Sequence, residues 1–199
     1  MATQKSTPDK SPKNAAPAVK IPARPTAPEK VVRRIMAPTL DDHLAVMTRA
    51  IFQAGLSWAM IAAKWDAFAT AFDGFDVTRV ATYGEADVGR IMEADGVIHS
   101  RAKIEGTIAN AATLIALAAK YDSIEAYVAR FPDYDSLWKD AHARFKHLGD
   151  LNCYYWLFRT GAPVPAFESW ITRQKVDHPR VREMVLAGRA DGTSTERLD

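Results

Sequence analysis

Apolar residues along most of this chain recur at the three- and four-residue spacing of an amphipathic helix, and that pattern starts at Thr39. Thr39 or Asp41 is placed to cap a helix that carries Leu44, Met47, Thr48 and Ile51 to a break at Gly55. Ser57 is placed to cap a second, WAMIAAKWDAFATAF, with Ile61, Trp65, Phe68 and Phe72 at helical spacing. AFDGFDVTRVA reads as a turn from which Asp76 or Thr78 starts a new helix, and Glu85 to Met92 as a further short one. After a turn at Asp95 and Gly96, a long stretch from about Ser100 to Ala119 gathers Ile104, Ile108, Ala111, Ala112 and Ile115 on one face. Ser123 to Arg130 is helical until Pro132 stops it, and Ser136 to Phe145 makes another helix. KHLGD is a tight turn, Leu151 to Thr160 the helix after it, GAPVPAF a loop, and Trp170 with its neighbours opens the last helices. No alternation of apolar and polar residues is long enough for a sheet, so the expected fold class is all-α.

The part before that pattern has a different texture. Seven of the 11 prolines in the 199 residues precede Thr39, and the first 34 residues carry eight Lys or Arg against Asp9 and Glu29, a charge of +6. With a total of +2, the remainder is left at −4. A segment this rich in Pro, Ala and Lys cannot repay the entropy of ordering, so residues 1–38 read as a disordered basic arm and 39–199 as the folded domain. The arm is either a solvated tail or a salt-sensitive tether to an anionic polymer. One cysteine, Cys153, excludes an internal disulfide, a Cys-rich zinc site and an iron-sulfur cluster. No apolar run nears the ~18 residues that span a membrane, and the N-terminus lacks the apolar core of a secretory signal. The expected setting is cytoplasmic.

The segment SLWKDAHARFKHLGDLNCYYWLFRTGAPVPAFESWI, residues 136–171, carries the chemistry. Two helices joined by a turn ending in Gly149 form a helix-hairpin-helix element, with glycine where the backbone must turn sharply or approach something closely. The following helix begins at once, so its free N–H groups and dipole suit a phosphate, with Lys146 and His147 beside them. An ordinary αα-hairpin packed in a helical protein accounts for the same segment equally well.

The order and spacing of FQAGLSWAMIAAKWDAFATAFDGFDVTRVATYGEADVGRIME, then GVIHSRAKIEGTIANA, resemble the helix-hairpin-helix DNA glycosylase superfamily over roughly residues 41–175. The likeness is greatest to 3-methyladenine DNA glycosylase I. QAGLSW, Gln53 to Trp58, is the sharpest motif; Arg101, Lys103 and Asn110 also match, as do the hairpin Phe145-Lys146-His147-Leu148-Gly149 and the later Cys153-Tyr154. The resemblance implies a two-lobed all-α fold and an enzyme of DNA base-excision repair that removes a damaged, alkylated base from double-stranded DNA, as a nucleoid-associated monomer. It implies Trp58 and Tyr154 in the base pocket and Gln53 at the gap left by the extruded base. It implies Lys146, His147, Leu148, Gly149, Arg101 and Lys103 along the DNA backbone; His99, in the turn GVIHSR, either touches phosphate beside Arg101 or is a solvated loop residue.

This chain departs from the family pattern where activity is concerned. Ala50 occupies the place of a base-recognising glutamate, eight residues before Trp58. The arm has no Cys or His, and Ala166 lies near the matched later position, so the family's zinc site is expected to be absent. No cofactor is expected; the superfamily resemblance allows a monovalent cation on carbonyls of the hairpin turn. In the wider superfamily an activating carboxylate opens the helix after a Gly-Xaa-Pro loop. Here Gly161, Ala162 and Pro163 lead to Glu168, nineteen residues after Gly149, with Asp150 as the rival carboxylate or a helix cap. A fixed anion there stabilises the positive charge that builds on the sugar as an N-glycosidic bond breaks. Strand-cleaving members carry a lysine two residues after the hairpin glycine; Leu151 stands there, which implies monofunctional hydrolysis. The alternative is a DNA-binding protein on the same scaffold that has lost the pocket.

Overall fold

The computed structural model describes residues 34–173, apart from the side chains of Trp58, Phe167 and Glu168; residues 1–33 of the expected basic arm and the last helices expected after Arg173 lie outside those residues, while Ile35, within the arm's expected bounds, donates its amide to the Arg159 carbonyl at 2.8 Å. Among the described residues the structure is helical, with no strand. It contains α1 (Leu40–Gln53), α2 (Trp58–Ala71), a 3-10 turn at Asp73–Phe75, α3 (Val77–Val80), α4 (Glu85–Glu93) and α5 (Arg101–Tyr121). Beyond these come α6 (Ile124–Val128), α7 (Tyr134–Arg144), α8 (Asp150–Arg159) and α9 (Phe167–Arg173). Local sequence sets most of the starts. Thr39 caps α1 in a reciprocal box with Asp42, Ser57 accepts from the Met60 amide, and Asp76 and Ser123 cap α3 and α6 in the same way. α7 begins two residues earlier than its apolar spacing predicts, because Asp133 takes the Ser136 amide and the buried Tyr134 belongs to the helix.

α1 and α5 form the centre. Helices α2, α3 and the 3-10 turn pack on α1, α3 and α4 on α5; on the other side α8 packs on α1, α6 on α5 and α7 on α8. Two groups of helices therefore share one pair of core helices. α1 is buried on most of its circumference, from His43 to Gln53. Phe52 packs edge-on to Phe68 and Phe72, and Trp65, Phe68, Phe72 and Phe75 stack along the first group. Gly55 ends the α1 turn at φ 88°, a conformation that L side chains rarely adopt.

Two buried polar contacts tie the second group to the centre. Asn110, fully buried on α5, donates from Nδ2 to the Lys146 carbonyl at 3.0 Å and accepts from the Lys146 amide at 2.7 Å. One side-chain amide thus brackets one residue's backbone and fixes the α7–α8 turn on α5. His43, 3% exposed on α1, accepts from the Trp156 indole N–H at Nδ1 (2.9 Å) and faces Glu125 Oε1 with Nε2 at 3.3 Å. An acceptor at Nδ1 places the proton of the neutral ring on Nε2, donated to Glu125. α1, α6 and α8 are joined through this one imidazole.

Replacing Asn110 with Leu leaves the Lys146 amide and carbonyl without these partners. Stability should fall by about 1–3 kcal/mol, read from urea unfolding. Burial, above all, holds the His43 imidazole below its ordinary 6.5, against the raising influence of Glu125 and Asp42. In the unfolded chain His43 binds its proton first as the pH drops, so its contribution is complete above about pH 6.5 and is lost progressively below it. Unfolding midpoints of the parent should fall between pH 7 and 5, and those of His43→Gln should fall less steeply.

Candidate nucleic-acid interface

The α7–α8 turn is built from both sides. Phe145 and Leu148 are buried, 3% and 1% exposed, and anchor the turn, whereas Lys146, His147 and Gly149 are exposed. Leu148 therefore offers only its backbone to a ligand. The left-handed residue is His147, at φ 55°, and not Gly149, whose φ of −67° suits any residue and whose added Cβ would meet nothing within 4 Å. The sharp-turn reason for glycine at this position is thus corrected: Gly149 stands as the cap residue of α8, with open space around it. Internal crowding falls instead on Gly106 of α5, where a Cβ would lie 2.5 Å from the His147 ring. His147 Nε2 is paired with the Ala102 carbonyl at 3.0 Å.

α8 starts at Asp150 with Gly149 as its cap residue and no side chain capping it, so its first turn presents backbone donors and the positive end of the helix dipole beside Lys146. The carbonyls of this turn are differently disposed. Lys146 O accepts from Asn110, His147 O from Asn152 Nδ2 at 2.8 Å, and Leu148 O from His142 Nδ1 at 3.0 Å. Each of these three oxygens thus already accepts from one protein donor. Asn152 and His142 carry no signal in the sequence, since only the turn brings them to those oxygens.

Two cations expected along the DNA backbone are engaged elsewhere. Arg101 forms a two-pronged ion pair with Glu85 and a third contact with Glu105 at 3.0 Å. Lys103, partly buried, donates from Nζ to the Ala54 carbonyl at 2.7 Å and lies over the Phe52 ring. Its ammonium satisfies the carbonyl end of α1 and holds the Gly55 turn. His99 is paired with the Ala94 carbonyl at 3.1 Å.

The QAGLSW segment links α1 to α2. Gln53, expected at the DNA gap, is 2% exposed with its Oε1 unpartnered among the described residues, so it has almost no surface with which to enter a duplex. Apolar packing of α1 on its neighbours buries the turn that carries it. Trp58 is the first residue of α2, and its side chain lies outside the described residues. Ala50 is 3% exposed and part of the apolar core.

Beyond the hairpin, aromatic packing sets the place of α9. Trp170, 1% exposed, stacks on Tyr154 with ring centroids 4.1 Å apart and directs its indole N–H to Asp150 Oδ1 at 3.3 Å. Tyr154 is itself 1% exposed and donates to the Pro165 carbonyl at 2.9 Å, which ties down the loop between α8 and α9. The expected pocket wall is thus a core residue, because both its ring and its hydroxyl are used internally. Asp150 also accepts from the Tyr134 hydroxyl at 2.6 Å, and burial above all pushes that phenol far up, so it stays a donor. As the first residue of α8, Asp150 joins α7, α8 and α9 and does not cap. Glu168 lies in the first turn of α9, two residues before the Trp170 that reaches Asp150; its side chain is outside the described residues. Cys153 is buried, and burial pushes its thiol far up, as suits a packing residue.

Comparison with known proteins bears on the whole arrangement. A family model described as methyladenine glycosylase matches residues 38–151. A DNA-3-methyladenine glycosylase of Haemophilus influenzae is 28% identical over 88 residues, 44% of this chain and 48% of that protein. DNA-3-methyladenine glycosylase 1 of Escherichia coli is 41% identical over 59 residues, 30% of this chain and 32% of that one. The chain thus spans less than half the length of these curated relatives. The solved structure of 3-methyladenine DNA glycosylase I from Staphylococcus aureus is alike in fold, with a TM-score of 0.57 at 24% identity over 66% of this chain and 80% of that chain. With more than half of its length matched by the family model, in the helices that carry QAGLSW and the hairpin, this protein belongs to the methyladenine glycosylase family.

Proposed function

We propose that the protein is a monofunctional DNA N-glycosylase, acting as a monomer at the nucleoid and without a cofactor. Its substrate would be a damaged base in double-stranded DNA, an alkylated purine of the 3-methyladenine type. The observation that carries this reading is the α7–α8 turn. Asn110 holds it rigidly, and it presents an uncapped helix start, an exposed Gly149 with no neighbour, and Lys146 to whatever approaches. Backbone donors at a helix start are suited to a phosphate group and carry no sequence preference, as a repair enzyme that scans DNA requires. Family membership supports the same substrate.

The chemistry asked of the protein is modest. A cationic alkylated purine leaves readily, so extruding it and stabilising the sugar cation supply most of the rate. Glu168 is the carboxylate on which this reading relies. α9, which carries it, is drawn to the hairpin by the Trp170 contact with Asp150. Asp150 is engaged by Tyr134 and Trp170 and serves in positioning. Leu151, partly buried and apolar, gives no amine for a Schiff base, so the product is an abasic site in an intact strand. A second reading is favoured by Ala50, which puts a buried methyl group where the resemblance implies base recognition. On that reading the scaffold binds DNA without excising a base.

Gly149→Ala should fold as the parent does, because its Cβ meets nothing inside the protein, yet bind duplex DNA more weakly by about 1–3 kcal/mol in an equilibrium titration. Unchanged binding removes the hairpin as the DNA contact. Glu168→Gln should lower base release from alkylated duplex about 10²-fold or more, measured by cleavage at the resulting abasic sites, with little change in affinity for an abasic duplex. A parent protein that binds duplex and releases no base decides for the non-catalytic reading.

A further inference from the structure

Most arginines in the described residues answer a carboxylate. Arg79 faces Asp73, Arg90 faces Asp73 and Asp87, Arg101 faces Glu85 and Glu105, Arg144 faces Asp140, and Arg173 faces Asp135. Two arginines at the contact of α1 with α8 do not. Arg49 of α1 is partly buried, with its guanidinium carbon 5.0 Å from the centre of the Trp65 ring. Arg159, the last residue of α8, is also partly buried; its Nη1 donates to the Tyr155 hydroxyl at 3.1 Å and its guanidinium lies over that ring. Neither forms an ion pair among the described residues, and the Nε of each is buried without a hydrogen-bond partner. The two charges are close enough to act on each other. Burial above all, with Arg159 adding to it and Tyr155 opposing, holds Arg49 below the ordinary range of an arginine.

This arrangement costs stability as it stands. Guanidinium donors taken from water without an acceptor are unfavourable, and a second cation alongside adds repulsion. One carboxylate would relieve both, and the folded part of the chain has an excess of acidic residues. The α1 residue next to Arg49 is instead the apolar Ala50. Two planar, permanently charged groups that act on each other with no carboxylate between them call for one oxyanion, which a guanidinium fork is shaped to bind.

We propose that Arg49 and Arg159 form a site for an oxyanion, and that this is a phosphodiester of the bound DNA strand. The inference rests on the DNA-glycosylase reading for the source of the anion. A neutral base carbonyl offers oxygen but leaves both positive charges uncompensated, whereas a phosphate neutralises one and accepts from both. The site also supplies what Arg101 and Lys103 do not, since the first is held by two carboxylates and the second by a carbonyl.

The test uses the full chain and a duplex carrying a stable abasic analogue, so that no base is present to be recognised. Affinity is titrated by fluorescence anisotropy across a range of salt for the parent, Arg49→Gln, Arg159→Gln, the double variant, and Lys139→Gln as a surface-charge control, each checked for helicity by circular dichroism. The double variant should bind about tenfold or more weakly at ~150 mM salt, with the slope of log affinity against log salt reduced by about 1. Each single variant should show part of that loss, Arg49→Lys should retain the slope, and Lys139→Gln should resemble the parent. Folded variants with the parent's slope and affinity overturn the proposal; if Gly149→Ala weakens binding in the same assay, the glycosylase reading survives that failure. Unchanged binding to the abasic duplex with slower release of a damaged base also overturns it, assigning the pair to the extruded base. A parent that binds no duplex fails the glycosylase reading itself, before any variant is compared.

Discussion

The Asn110 amide is the contact on which the exposed α7–α8 turn of this protein depends. It sits fully buried in α5 and grips one backbone residue of the hairpin through both a donor and an acceptor. A pair of hydrogen bonds in fixed geometry sets direction as well as distance, which apolar packing alone does not do. Buried Phe145 and Leu148 hold the turn against the core, and His142 and Asn152 close its remaining carbonyls. The Lys146 amide and the carbonyls of Lys146, His147 and Leu148 are thereby used within the protein. What remains outward is the helix start, an exposed glycine and a lysine.

The same rule of satisfying groups internally explains why several expected contacts are already engaged within the protein. Lys103 completes the end of α1, Arg101 is clamped by Glu85 and Glu105, and Tyr154 is sealed between Trp170 and the Pro165 carbonyl. These residues hold up the segments that carry the site: the QAGLSW turn, the start of α5, and the loop into α9. On the proposed reading, positive charge is offered to DNA by Lys146 just before α8 and by Arg159 at its last residue, with Arg49 of α1 beside it. Such a division lets one helix contribute its N-terminal dipole at one end and a guanidinium at the other.

The aromatic and imidazole contacts in the second group do a comparable job for the placement of α9, on which the proposed catalysis relies. Trp170 brings α9 to Asp150 at the base of the hairpin, and His43 joins α1 to α6 and α8. An electrostatic role for a carboxylate needs a fixed position relative to the substrate, because the benefit falls as the charge moves away. The route from the hairpin glycine to Glu168 is nineteen residues of chain but only a few side-chain contacts through Asp150, Trp170 and Tyr154.

The sequence by itself determined the helices, because capping and apolar spacing act over three or four residues: Thr39, Ser57, Asp76 and Ser123 open the elements they announce. It also determined the hairpin and, through QAGLSW and its neighbours, the family. It could not determine which polar side chains stay free for a ligand, since that depends on partners far along the chain. Asn110 meets Lys146 across 36 positions, Lys103 meets Ala54 across 49, and His43 meets Trp156 across 113. The same long-range packing buries Gln53, leaves His147 and not Gly149 as the left-handed residue of the turn, and puts Arg49 and Arg159 at one helix contact. A charge or an amide reads the same in a sequence whether it is destined for water, a carbonyl or a phosphate, and only the packing of α1, α5 and α8 decides among them.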